Sequence, residues 1–292
     1  MVSLLAIGSA FFWGLSYTFT RTGLRYANPL SGVLITMTCC SAVSLIIALF
    51  AIPLNQFVTR AVLYFIAAGI IGSFIGRFLF YVGVDKVGAS ISTPLSEIKP
   101  LFSTIVAIVI LGERVTLSIA LGTVFIIIGA ATISSEESGG HIEKKWSKKD
   151  LIFPILAGAC WGVTHIFRKV GLNITPEPIL GLAVQNVAAF TFYPLLFLVQ
   201  QNQQKLVLND RKSWFLFSLS GFSAVAAQLC FFYALDLGEV VIVSPLSSLS
   251  AFFLLLFVGI FLRKLERVTW KIVLGSILIV GGTLLLTMMS SG

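Results

Sequence analysis

The sequence predicts an all-α integral membrane protein in which ten transmembrane helices form two inverted five-helix repeats. A low charge content, ten apolar runs and an internal repeat carry that expectation. Of 292 residues, 32 are charged, or 11%, against about 25% in soluble domains. Hydrophobic residues make up 57% and the mean hydropathy is +1.00, more than one buried core of this length would use. A water-soluble fold is excluded, and the lipid bilayer is the first partner.

The apolar runs cover residues 2–20, 30–52, 61–83, 88–111, 115–133, 151–170, 178–199, 213–235, 240–262 and 268–289. Each is close to the ~20 residues that a helix needs to cross the hydrocarbon. A membrane barrel would instead show alternating segments of about ten residues. The first run lacks the basic start of a cleaved leader and has a counterpart later in the chain, so it is expected to be the first spanning helix. Between the fifth and sixth runs, residues 134–150 hold eight of the 32 charges. Their Ser, Gly, Glu and Lys content cannot bury a core, which predicts a mobile hydrophilic linker. The net charge of +8 reflects lysines and arginines that hold loops on one side of a membrane, and no nucleic acid is expected.

The repeat emerges on sliding the chain along itself. Trp13-Gly14 through Gly23-Leu24 matches Trp161-Gly162 through Gly171-Leu172 at an offset of 148, with Phe19 on Phe167. Glu113-Arg114-Val115-Thr116 recurs as Glu266-Arg267-Val268-Thr269 at 153, with Gly122 and Gly129 on Gly275 and Gly282. Pro94 falls near Pro245, and Tyr81 near Tyr233. The expected units are therefore residues 1–133, the linker 134–150, and 151–292. Five is odd, so the second unit enters the membrane upside down relative to the first, a construction that suits transport. Gly72-x-x-x-Gly76 and Gly158-x-x-x-Gly162 predict faces where helix backbones approach closely.

These residues carry a resemblance. Trp13-Gly14 and Trp161-Gly162 in the opening helices, Pro94 and Pro245 in the fourth helix of each half, the Leu111-Gly112-Glu113-Arg114 turn and the closing glycines resemble the EamA-type permeases of the drug/metabolite transporter superfamily. The second half departs from the pattern at Arg263-Lys264-Leu265-Glu266, where the Gly is missing. The resemblance covers nearly the whole chain. It implies a transporter in a prokaryotic plasma membrane, with a central cavity lined mainly by the first, third and fourth helices of each half. It also implies small-molecule substrates such as metabolites, amino acids or drugs.

Ionisable groups in hydrocarbon are costly and should face the interior. Arg77, Glu97 and Lys99 lie well inside the third and fourth runs. Arg77 and Glu97 fall at similar depth on neighbouring helices, which predicts a salt bridge between them. Glu97 and Lys99 are about 200° apart on a helix and share a face only if Pro94 and Pro100 distort the turn. Lys99 is then left to recognise an acidic group, and an amino acid suits such a site, with its side chain against Trp13, Tyr17 or Trp161. The alternative is a buried structural network. Trp161, His165 and Arg168 share one face of the sixth run, as Trp13 and Tyr17 do on the first. His165 is a candidate substrate or proton contact, while Arg168 and Lys169 can instead snorkel to the interface. Gln228, Ser244, Ser247 and Ser248 are the polar candidates of the second half, although hydroxyls in helices more often bond their own backbone.

Cys39, Cys40, Cys160 and Cys230 have no C-x-x-C spacing and there are two histidines, so no metal site or cofactor is expected. No G-x-x-x-x-G-K-[ST] loop or G-x-S-G motif is present, which disfavours ATP hydrolysis by that route and intramembrane catalysis. The expected function is secondary transport of small metabolites, with amino acid export as the finer form and protons as a candidate coupling ion. An intramembrane enzyme or a non-transporting subunit is the alternative; monomer and homodimer are both left open. Thirteen basic residues lie at the ends of segments opposite the N-terminus and four (Arg60, Arg114, Arg168, Lys169) on its own side. The positive-inside rule puts the thirteen, and the linker, in the cytoplasm, whereas cytoplasmic termini are usual in the resembled family. On the charge rule, Ser138→Cys in intact cells stays unreactive to a membrane-impermeant thiol reagent; rapid labelling there reverses the orientation.

Overall fold

The computed structural model describes residues 1–51, 58–102, 117–136, 140–141, 145–196, 205–238 and 240–288. Its helices are α1 (Val2–Gly23), α2 (Pro29–Ala51), α3 (Thr59–Val87), α4 (Ala89–Ser96), α5 (Leu117–Ser134), α6 (Ile152–Ile174), α7 (Pro178–Phe192), α8 (Arg211–Leu237), α9 (Val240–Ser247), α10 (Ser250–Phe261) and α11 (Trp270–Met288). Among the described residues, five helices are long and apolar enough to cross a membrane. Parts of the fourth, fifth and seventh apolar runs fall outside the described residues, and so does the Glu113 turn.

Helix starts follow local chemistry. Pro29 and Pro178 open α2 and α7, where the missing N–H costs nothing. Asn28 Oδ1 accepts from the backbone N–H of Ser31 at 2.9 Å, and Asp210 Oδ1 from that of Lys212 at 2.7 Å. Gly88 starts α4 at φ 89°, a conformation that side chains rarely adopt.

Two departures from regular helix shape the centre. Within α3, Gly69–Gly76 is wound as a π-helix, which adds a residue to the turn and re-aims the side chains beyond it, Arg77 first among them. The fourth run, expected as one helix, breaks at Glu97 and Ile98, three residues after Pro94. The ninth breaks at Ser248 and Leu249, three residues after Pro245. Pro100 lacks a helical N–H and crowds the turn before it, which accounts for the break at Glu97 and Ile98.

The helices pack mainly across the two parts of the chain. α1 lies against α8 and α10, α2 against α7 and α8, α3 against α6 and α7, and α5 against α11. The glycine face of α6 lets the broken stretch of the fourth run approach, since a Cβ on Gly162 would strike the Lys99 carbonyl and Phe102. Large apolar side chains such as Phe50, Leu49, Phe215 and Phe261 point outward and are exposed. In a bilayer that surface meets lipid tails and is no liability.

At the end of α1 a buried carboxylate ties three segments together. Glu266 accepts from Arg21 Nε, from the backbone N–H groups of Ala89 and Ser90 at 3.0 and 3.1 Å, and from the Ser90 hydroxyl. It thereby caps α4 and neutralises Arg21. Arg21 and Arg168 are both buried, not loop charges as the basic-residue count treats them. The linker, expected to be mobile, is anchored where it is described. Glu136 accepts from Thr269, Gly140–His141 pairs antiparallel with Glu266–Arg267, and Lys86 meets Asp150 at 2.8 Å.

Removing one partner of a buried ion pair costs about 3–5 kcal/mol, because the other charge stays buried and unpaired. Glu266→Ala is therefore expected to lower the thermal stability of the purified protein sharply. The double variant Arg21→Met/Glu266→Met should recover the part due to the unpaired Arg21 but not the part due to the uncapped Ala89 and Ser90 N–H groups, as read by intrinsic fluorescence on heating.

Candidate functional site

An aromatic wall forms first. Trp13 and Tyr17, one turn apart on α1, stack at 5.4 Å between ring centroids. Trp161 from α6 lies 6.4 Å from Tyr17, and Phe80 from α3 closes the group at 4.6 Å from Tyr17 and 5.3 Å from Trp161. The Trp161 indole donates to the Gly72 carbonyl at 3.1 Å, inside the π-helical segment. That bond fixes the ring plane and uses a carbonyl on irregular backbone.

Three cations converge on this wall. Lys99 Nζ lies 2.8 Å from Glu97 Oε2 and 5.8 Å from the Trp161 centroid, and Ser250 donates to the other Glu97 oxygen at 2.6 Å. Arg77, immediately after the π-helical segment, donates to Cys40 Sγ at 3.2 Å. Among the described residues no carboxylate pairs with it. Arg168 Nε donates to Gln185 Oε1 at 2.7 Å, and its guanidinium lies over Phe231 and Phe232 at 5.5 and 5.3 Å. Gln185 in turn donates to Ser73 at 2.9 Å and to Gln228 at 3.0 Å, which locks its amide.

The space between these groups is nearly shut. Trp13, Tyr17, Arg77, Lys99, Trp161 and His165 line one cavity of about 20 Å³ with Arg168 and Ser247, room for about one water. A second void of about 10 Å³ lies under Arg77 beside the hydroxyls of Ser16, Thr20, Thr36 and Tyr81. A groove of about 410 Å³ between α2, α3 and α7 is lined almost wholly by apolar side chains and faces outward, as lipid-facing surface does. Arg77, Lys99, His165 and Arg168 around the cavity are all buried.

The EamA-like transporter family matches this chain at residues 1–135 and again at 148–288. The chain belongs to that family. Two curated proteins are similar to this EamA-like chain. One is "Uncharacterized transporter YyaM" of Bacillus subtilis (strain 168), 28% identical over 171 residues, or 58% of this chain and 55% of that protein. The other is "Uncharacterized transporter in cobO 3'region" of Sinorhizobium sp, 30% identical over 133 residues, or 45% of this chain and 92% of that protein. The match spans about half the length of the first. A solved crystal structure superimposes on 99% of this chain and 97% of its own with a TM-score of 0.68 at 14% identity, a likeness of fold. Family and helices together make this a multi-pass membrane protein.

Within this EamA-like fold most sequence-selected residues meet at the cavity, but their pairing differs from expectation. The Arg77–Glu97 bridge is not formed: the break after Pro94 turns Glu97 toward Lys99 instead. Glu97 is completely buried behind Lys99. His165 stacks near Phe231 at 4.6 Å, and its Nδ1 lies 3.4 Å from the Ser244 hydroxyl. Gln228 sits one step back, behind Gln185. Ser248 is buried and donates to the Ser244 carbonyl at 3.2 Å, a backbone role. Sequence reasoning missed Gln185, Ser73, Cys40 and Phe80. Gln185 had a usable signal, since an amide in the middle of the seventh apolar run needs partners as much as a charge does.

Proposed function

We propose that this chain is a secondary transporter that moves small carboxylate-bearing metabolites, amino acids and their relatives among them, without ATP. Arg77 carries the reading. A guanidinium buried in the hydrocarbon, facing an aromatic-walled cavity and lacking a carboxylate among the described residues, is a receptor that an anion completes. The sequence points to Lys99 for that role, but the pairing of Lys99 with Glu97 transfers it to Arg77. The substrate's apolar part then packs against Trp13, Tyr17 and Trp161.

Alternating access supplies the route. In this form the Arg21–Glu266 pair closes the end of the bundle opposite the N-terminus. On the N-terminal side Lys169 donates to the carbonyls of Leu235 and Gly238 at 2.8 and 3.0 Å. These contacts join segments from different parts of the chain, and each can open while the other holds. The breaks at Glu97 and Ser248 fall at corresponding places after Pro94 and Pro245, which supports two related units that exchange inward-open and outward-open arrangements. Glu97, with Lys99 and Ser250 as partners, is the proposed proton carrier of a coupled cycle.

Reconstitution into liposomes tests this directly. Exchange of labelled amino acids and other small carboxylates should appear with the wild-type protein, and Arg77→Gln should cut it at least about tenfold, chiefly through a higher KM. Arg77→Lys should retain part of it. Equal flux by Arg77→Gln and the wild type would reject Arg77 as the receptor.

A further inference from the structure

The charge balance of the site narrows the cargo further, and this step rests on reading the central cavity as the substrate site. Arg77, Lys99 and Arg168 line one cavity, and Glu97 is the carboxylate paired among them. One carboxylate neutralises one of three cations. Two guanidinia remain, and neither has an acidic partner among the described residues.

Among the described residues each is also underused as a donor. A guanidinium has five N–H groups. Arg77 gives one to Cys40, a weak acceptor, and Arg168 gives one to Gln185. Both remain within the wall of the cavity. Arg168 is further fixed from behind, by the Phe231 and Phe232 rings and by a Gln185 amide held through Ser73 and Gln228. Such bracing orients the fork before any ligand arrives, which lowers the cost of binding. A snorkelling arginine would extend toward water, but this one is buried and turned inward.

We infer that the site recognises a small metabolite bearing two negative charges, shared between Arg77 and Arg168, with an apolar part against the Trp13–Tyr17–Trp161 wall. In low dielectric, a ligand with one charge leaves one guanidinium unpaired, and a neutral zwitterion leaves both uncompensated overall. A dicarboxylate or a phosphate monoester meets the requirement. The first supplies two separate acidic groups and the second a compact dianion.

Calorimetric titration of the purified protein in lipid nanodiscs at pH 8 tests the inference with four aromatic probes: benzoate, phenylalanine, phenylsuccinate and phenyl phosphate. The last is a dianion there, because its second ionisation lies near pH 6. At least one doubly charged probe should bind about 30-fold or more tighter than benzoate and phenylalanine, the size of one additional charge-assisted contact. Phenylsuccinate ahead assigns separated acidic groups; phenyl phosphate ahead assigns a compact dianion. Arg77→Gln and Arg168→Gln should each reduce the preference to about threefold or less, while Arg168→Lys keeps part of it. Benzoate or phenylalanine within about threefold of the better dianion in the wild type, or no binding of either dianion, overturns the inference whatever the variants do. Transport is read separately: a dianion that binds but never crosses a liposome membrane refutes the transporter reading and leaves the charge preference standing.

Discussion

An ionised group inside hydrocarbon must find its partners within the protein, and that constraint shapes the arrangement of this chain. At the end of α1 it is met in full, since the Glu266 carboxylate gathers Arg21, two backbone N–H groups and the Ser90 hydroxyl from segments far apart in sequence. The same group therefore serves as ion-pair partner and as helix cap. In the centre the constraint is met only in part. Glu97 and Lys99 neutralise each other, whereas Arg77 and Arg168 make do with a thiol, an amide and ring faces. Two buried guanidinia without a carboxylate among the described residues are what the proposed binding site rests on.

The backbone is bound by the same rule. Irregular main chain at membrane depth is tolerated where protein surrounds it or where it borders a cavity. Here the π-helical Gly69–Gly76 and the break at Glu97 both adjoin the central cavity, and Trp161 consumes a carbonyl of the former. The irregularities also aim the chemistry. Without the break, Glu97 and Lys99 would point to opposite sides of a helix. The glycine face of α6 admits the broken segment at close range, so the packing of small residues and the placement of Lys99 have one cause.

How much of this was legible in the sequence depends on the range of the interaction. The described apolar runs and the buried Arg77, Glu97 and Lys99 could be read from composition and spacing, because bilayer thickness and helical rise act locally. Helical spacing put Trp13 with Tyr17 and Trp161 with His165, and these four line the cavity together with Arg77 and Lys99. The pairing of Arg77 was not legible. Depth alone matched it to Glu97, and only the broken backbone shows why Lys99 takes that carboxylate. Nor could the Arg21–Glu266 contact be read, since it joins residues 245 positions apart. Gln185 escaped because polar candidates were sought on the first, third and fourth helices of each half, and it lies on the second helix of its half.

The central claim is that a single central cavity opens alternately to the two sides of the membrane. Ser247 lines that cavity and donates only to the Ser244 carbonyl of its own helix, so it can be replaced with little disturbance. In a background with Cys39, Cys40, Cys160 and Cys230 replaced, the direct measurement is the reactivity of Ser247→Cys toward a membrane-impermeant thiol reagent added to one face of uniformly oriented proteoliposomes and then, separately, to the other. The account predicts modification from either face, slowed in both cases by a ligand that occupies the cavity. Modification from one face alone, however long the exposure, would contradict it.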